Sequence, residues 1–178
     1  MRKFAQARHD EEDEDFSFNI GDDDHSPLPE LELKKYLALM KALQNYYQHA
    51  HWISKGEPYY ADHLLFERLY SSLGGQIDSL AEKMVGVGGD HFVCVKTVMS
   101  ITNKILSHVP EMDRNTLGYE MVQTSLKLEK MFLFYTKKLY TKMKEDESLT
   151  LGFDDMLMSL YNEHEGNVYL LGQRIKRA

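Results

Sequence analysis

Five side chains have the chemistry of metal ligands: His51, then His63, Glu67, Asp78 and Glu82. Imidazole nitrogens and carboxylate oxygens, with no thiolate among them, suit iron or manganese better than copper(I), with zinc also admissible, and iron is the leading choice. On a helix advancing about 100° per residue, positions 67, 78 and 82 lie about 40°, 60° and 100° round from 63, so the four share one face. Along the axis, Glu67 and Asp78 are about 16 Å apart at 1.5 Å per residue, too far to share one metal site. Two antiparallel copies of the same helix remove the difficulty. A two-fold axis near residue 72 or 73 lays His63 and Glu67 of one copy beside Asp78 and Glu82 of the other, and a dimer then owns two sites. Ser71, Ser72, Gly74 and Gly75 fall where the copies would cross. Two glycines in mid-helix are unfavourable by roughly 1 kcal/mol each relative to alanine, and close helix approach is a reason to keep them. The competing reading of acids and histidines at helical spacing is a solvated helix face.

The elements that carry these residues follow from apolar periodicity. Leu33, Leu37, Met40, Leu43, Tyr47 and Ala50 recur at three and four, which predicts a helix α1 from Glu30 to Ile53 with Pro29 at its start. The segment 54–58 breaks it. A long helix α2 is expected from Tyr59 to about Val85, ended by Gly86, Gly88 and Gly89, and a shorter α3 from about His91 to His108, capped by Asp90 and closed by Pro110. Helix α4 should run from near Asn115 to Lys144 on Leu117, Met121, Leu128, Met131, Tyr135 and Leu139. After the acidic turn at 145–147 and a break near Gly152, α5 carries Phe153, Leu157, Leu160, His164, Val168, Leu171 and Ile175. Four long helices, one short one and no strand alternation predict an all-α four-helix bundle with a short extra helix between α2 and α4.

Composition narrows the function classes. The chain has 178 residues with 43% hydrophobic residues, enough for one packed core. Its single cysteine, Cys94, excludes an intramolecular disulfide and a cysteine zinc site. No apolar run approaches the roughly 18 residues of a membrane span, and the start of the chain does not fit a signal peptide, so a cytoplasmic protein without membrane association is expected. The net charge of −7 lies entirely in residues 1–30, which hold three bases and ten acids. Residues 1–29 therefore read as an acidic, mostly disordered tail on a near-neutral domain spanning 30–178.

The run His51, Trp52, Lys55, Gly56, His63, Glu67, Tyr70, Asp78, Ala81, Glu82, Lys83 resembles the intersubunit ferroxidase motif of the Dps miniferritins. The end of the chain, with Asp155, Met156, Leu157, His164, Glu165, Leu170, Leu171 and Arg174, is similar to the last helix of that family. The resemblance spans about residues 31–175, and only 51–83 are motif-specific. It implies a ferritin-like bundle assembled into a hollow dodecamer, with di-iron sites at two-fold interfaces. Iron(II) would be oxidised there, preferably by hydrogen peroxide, and stored inside as ferric oxyhydroxide. His51, His63 and Glu67 would bind iron from one chain, and Asp78 and Glu82 from its neighbour, with Glu82 bridging or holding the firmer iron. Trp52 matches a tryptophan near the site that takes up oxidising equivalents, although it also reads as an anchor for the α1–α2 corner. Glu67 stands where the family has aspartate, which keeps charge and donor type and adds a methylene.

Conventional ferritins instead build their site inside one bundle from Glu-x-x-His pairs, and none of the eight histidines here has a glutamate three residues before it. His164, on the apolar stripe of α5, is expected to be a hydrogen-bonded core histidine outside the iron site. The ten methionines and eleven tyrosines read as core and subunit contacts. Glu145, Asp146, Glu147, Asp154 and Asp155 read as a solvated turn in preference to an iron-entry pore. The acidic tail predicts weak or absent DNA binding, which speaks against a nucleoid-packing protein. The other alternative is a non-enzymatic shell or partner-binding protein without productive iron chemistry.

Overall fold

A computed structural model describes residues 29–113 and 115–176, and the predicted acidic tail lies outside them apart from Pro29. Among the described residues the secondary structure is helical: α1 Glu30–Ile53, α2 Tyr59–Gly88, a 3₁₀ turn Asp90–Val93, α3 Val95–Leu106, α4 Gly118–Glu145 and α5 Leu151–Ile175. The all-α four-helix bundle with an extra helix between α2 and α4 is therefore the fold of this chain. All six stripe residues expected of α1 are buried. So are Tyr36, Leu39, Ala42 and Tyr46, because α1 packs against α2, α4 and α3 and keeps little solvent-facing surface.

Side-chain hydrogen bonds give the topology. Tyr36 pairs with Thr136 at 2.8 Å and Tyr47 donates to Glu129 at 2.7 Å, so partner numbers fall as α1 rises and α4 is antiparallel to it. Arg174 donates to Asp62 at 2.6 Å while His164 meets Gln76 at 3.2 Å, which makes α5 antiparallel to α2. α1 and α5 thus run one way and α2 and α4 the other. Residues 89–117 must climb the length of the bundle between α2 and α4, the single long crossover of one class of four-helix bundle. α3 makes that climb against α1, burying Val98, Ile101 and Ile105 while the Thr102 hydroxyl donates to Ala38 O at 3.3 Å.

The helix boundaries differ from expectation where local hydrogen bonding intervenes. Gly86 and Gly88 lie inside α2, and the helix stops at Gly89, whose φ of 93° is the left-handed conformation glycine tolerates. The Phe92 ring lies directly against Gly88, leaving no room for a Cβ. This tight turn makes 90–93 a 3₁₀ turn that Asp90 does not cap, and Cys94, at ψ 113°, separates it from α3. The start of α4 moves to Gly118 because the Asp113 carboxylate accepts the backbone N–H groups of Asn115 (2.7 Å) and Thr116 (3.0 Å). Those bonds hold the Asp113 carboxyl below its ordinary range. Glu120 then closes on the Leu117 N–H at 2.9 Å. Gly152 does not break α5, which begins one residue earlier under a Thr150 side chain that accepts from the Phe153 N–H.

Asp62 is 1% exposed and receives both Nε and a terminal nitrogen of Arg174, at 2.6 and 3.0 Å, tying the start of α2 to the end of α5. The Asp62 carboxylate also lies against Gly118, where a Cβ would collide with it. Arg174→Ala leaves that buried carboxylate without its cation, and the expected loss is about 3 kcal/mol, or about 6–12 °C in Tm by circular dichroism.

Three tyrosine hydroxyls join α1 to α4: Tyr36 to Thr136, Tyr46 to the Met121 carbonyl at 3.4 Å, and Tyr47 to Glu129. Burial pushes the Tyr46 phenol up to about 12, and burial also raises Tyr36 and Tyr47, the latter further against the Glu129 charge. Phenols whose folded values lie above their unfolded ones contribute stability that is complete below pH 10 and declines as pH rises toward the folded values. Above pH 10, stability should fall by about 1.4 kcal/mol per pH unit for each buried tyrosine until Tyr46 itself ionises near pH 12. Urea midpoints measured between pH 9 and 12, with Tyr46→Phe flattening the slope, check this.

Candidate metal centre

His51 closes the last turn of α1 and His63 stands in the second turn of α2, so the short 54–58 corner folds one ring onto the other. The imidazoles stack with centroids 3.8 Å apart. His51 Nδ1–H donates to the His63 carbonyl at 3.0 Å, and His63 Nδ1–H donates to the His51 carbonyl at 3.1 Å. A carbonyl oxygen can only accept, so each Nδ1 carries a proton. In the neutral ring this leaves the Nε2 lone pair as the free donor, with the other nitrogen anchored as metal-binding histidines require. Tyr70 lies edge-on to His51 at 5.2 Å, and Tyr59 lies 5.0 Å from His63. The sequence reading picked out both histidines but not this reciprocal anchoring, which depends on the path of the corner.

The carboxylates behave differently. Glu67, Asp78 and Glu82 are all exposed on α2, on the side away from its buried residues Phe66, Leu69, Leu73, Ile77, Leu80 and Met84. Among the described residues, no three His, Cys, Asp or Glu side chains come together as a metal-holding group. The structure therefore brings His51 and His63 together and leaves Asp78 and Glu82 farther along the helix. This is the separation expected from their spacing. Among the described residues, a Cβ on Gly75 meets nothing within 4 Å, and one on Gly74 meets only the Gln44 amide at ordinary contact distance. No described residue of the subunit requires glycine at position 75. Trp52, next to His51, is 66% exposed and touches the His49 ring edge-on at 6.2 Å.

A second constellation lies in the bundle core. Glu129 and His164 are both fully buried, with Nδ1 of His164 2.5 Å from Glu129 Oε2. Glu129 Oε1 accepts from Tyr47 O–H at 2.7 Å and from the Asn167 amide at 3.3 Å, and His164 Nε2 faces Gln76 Oε1 at 3.2 Å. The His164 ring also stacks on Phe132 at 3.8 Å. His164 is thus the hydrogen-bonded core histidine its place on the α5 stripe suggested. Glu129 went unnoticed in the sequence, although Ser125, Glu129 and Thr136 form a polar line at helical spacing that interrupts the apolar face of α4. Asn167, one position before the expected Val168, is drawn inside by the same carboxylate.

A family model described as the ferritin-like domain matches residues 30–177. The chain is 27% identical over 140 residues to DNA protection during starvation protein 2 of Bacillus anthracis, a match covering 78% of this chain and 90% of that protein. Dps from Thermosynechococcus elongatus superposes with a TM-score of 0.71 at 18% identity, over 84% of this chain and 90% of that one. A Dps protein from Vibrio cholerae O1, described as a member of a broad superfamily of ferritin-like diiron-carboxylate proteins, gives a TM-score of 0.69 at 19% identity, over 83% of this chain and 88% of that one. At such identities the solved structures establish the fold, while the domain match covers nearly all of the described chain. The protein therefore belongs to the ferritin-like family, among its Dps miniferritins.

Proposed function

We propose that this protein is a ferroxidase and iron store whose oxidation sites form between two copies of the chain. Membership in the ferritin-like family supports iron storage and protection as the general role. The observation that carries the finer reading is the pair of anchored imidazoles, His51 and His63, each held through Nδ1 with Nε2 left as donor. Iron(II), the substrate, would be bound by His51, His63 and Glu67 of one chain and by Asp78 and Glu82 of the partner subunit, with Glu82 of the partner subunit bridging or holding the firmer iron. The exposure of all three carboxylates and the unfilled space at Gly75 support a two-fold contact along α2. Nitrogen and carboxylate donors suit iron in either oxidation state.

Two iron(II) ions supply the two electrons that reduce hydrogen peroxide to two waters, with two protons taken up, so a paired site consumes the oxidant without releasing a radical. Hydrolysis of the ferric product to oxyhydroxide inside a twelve-subunit cage completes storage. The Glu67 side chain, one methylene longer than aspartate, tunes how firmly the neighbouring iron is held, and Trp52 takes up stray oxidising equivalents at the site edge. No helix among the described residues is long and apolar enough to cross a membrane. A cytoplasmic setting suits the single cysteine, and the acidic first 30 residues make DNA a weak partner.

Stopped-flow absorbance after mixing the purified protein with iron(II) and peroxide should show fast ferric formation. The double variant His51→Ala/His63→Ala should reduce it to the protein-free rate while the particle mass by light scattering stays unchanged. A wild-type particle of twelve subunits with only background oxidation would instead identify a shell without iron chemistry. The two-fold contact has its own check. Gly75→Leu should leave helicity by circular dichroism intact, because its own chain has room for the side chain, yet shift light scattering toward monomer and abolish oxidation.

A further inference from the structure

Of the three tyrosines that tie α1 to α4, only Tyr47 is hydrogen-bonded to a base. The Tyr36 hydroxyl meets the hydroxyl of Thr136, and Tyr46 donates to a backbone carbonyl, neither of which accepts a proton near neutral pH. Tyr47 O–H instead points at the Glu129 carboxylate from 2.7 Å, within the range over which a proton transfers directly. Removing an electron from a phenol makes its proton strongly acidic, so oxidation becomes accessible when a base is already hydrogen-bonded to that proton. Glu129 is a built acceptor. It also receives His164 and Asn167, so its charge stays distributed over a network rather than isolated in the core. Tyr47 is completely buried, which shields a radical from solvent and from other molecules. It sits one helical turn before His51, about 6 Å along α1. Burial and the Glu129 charge keep it a neutral phenol at physiological pH.

We infer that Tyr47 is a one-electron donor to the oxidation site, with Glu129 as the acceptor of its phenolic proton. The inference rests on the iron reading above and deepens it. It applies when peroxide meets a site holding a single iron(II). Reduction of peroxide to two waters takes two electrons and two protons: iron(II) supplies one electron and becomes iron(III), and Tyr47 supplies the other and becomes a neutral tyrosyl radical. The Tyr47 O–H bond breaks with its proton moving to Glu129 Oε1, and the protons for the two waters come from solvent. Without this second electron, one-electron cleavage would release a hydroxyl radical.

The test is freeze-quench electron paramagnetic resonance on the full-length assembled protein, mixed with one iron(II) per site and excess hydrogen peroxide. Ferric absorbance is followed in the same samples. The expected result is a tyrosyl signal whose hyperfine structure collapses when the tyrosine rings are deuterated. It should be lost in Tyr47→Phe and strongly reduced in Glu129→Gln, which keeps an acceptor of the same shape without a base. It should persist in Tyr36→Phe, Tyr46→Phe and Tyr70→Phe, with ferric formation intact in Tyr36→Phe and Tyr46→Phe. Ferric formation with no tyrosyl signal in the wild type, or a signal that survives Tyr47→Phe, overturns the role of Tyr47 and leaves the iron reading standing. Absence of ferric formation in the wild type overturns both. Should Tyr47→Phe fail to assemble, ring deuteration in the wild type together with Glu129→Gln decides the matter: a radical that is not tyrosyl, or a yield indifferent to Glu129, refutes the assignment.

Discussion

Glu129 is buried to the last ångström of its side chain, and a carboxylate in that position is tolerable only when donors surround it. Here those donors come from two other helices: Tyr47 from α1, and His164 and Asn167 from α5, while His164 extends the network to Gln76 on α2. All four long helices therefore meet through one charge. Sliding any of them by a turn would strand at least one buried polar group, which is a stronger constraint on register than the interchangeable leucines and methionines around it. The antiparallel pairing of α1 with α4 and of α2 with α5 is recorded in these bonds and in the Asp62–Arg174 pair near one end of the bundle.

That register also determines where the two histidines of the proposed site meet. With Tyr47 held inward, His51 emerges one turn later at the end of α1, where the short corner brings His63 against it. The rings use their Nδ1 protons on each other's backbone, so the orientation of their remaining nitrogens is set by the fold alone. The carboxylates of α2 take the opposite course. Their helix buries Phe66, Leu69, Leu73 and Leu80, and residues on its other side are left outside. A subunit with oriented imidazoles on one stretch and exposed carboxylates on another has the two parts that the proposed site would join across a two-fold neighbour.

The placing of His63 and of the acids on α2 was legible because helical geometry converts sequence spacing into angle and height, and that arithmetic also showed that Glu67 and Asp78 of one chain stay apart. The apolar stripes were legible for the same reason. Other features were not. The stop at Gly89, the 3₁₀ turn before Cys94 and the delayed start of α4 follow from particular contacts: a Phe92 ring against Gly88, and an Asp113 carboxylate that captures two backbone N–H groups. Periodicity carries no record of such contacts, because they depend on where one or two side chains turn. The burial of α1 on several sides was hidden as well, since the crossover that brings α3 against it is set by helix directions and not by the composition of α1.

The sequence by itself determined the helices, their apolar faces and the distance along α2 that separates Glu67 from Asp78, since each is a local pattern or a consequence of 1.5 Å per residue. Only the tertiary structure decided that Glu129, a single acid in an amphipathic stripe, would be enclosed by Tyr47, His164 and Asn167, residues tens of positions away. It also decided that the two histidines would anchor each other through the backbone. A buried hydrogen bond is a property of two segments that meet, and neither segment carries it alone.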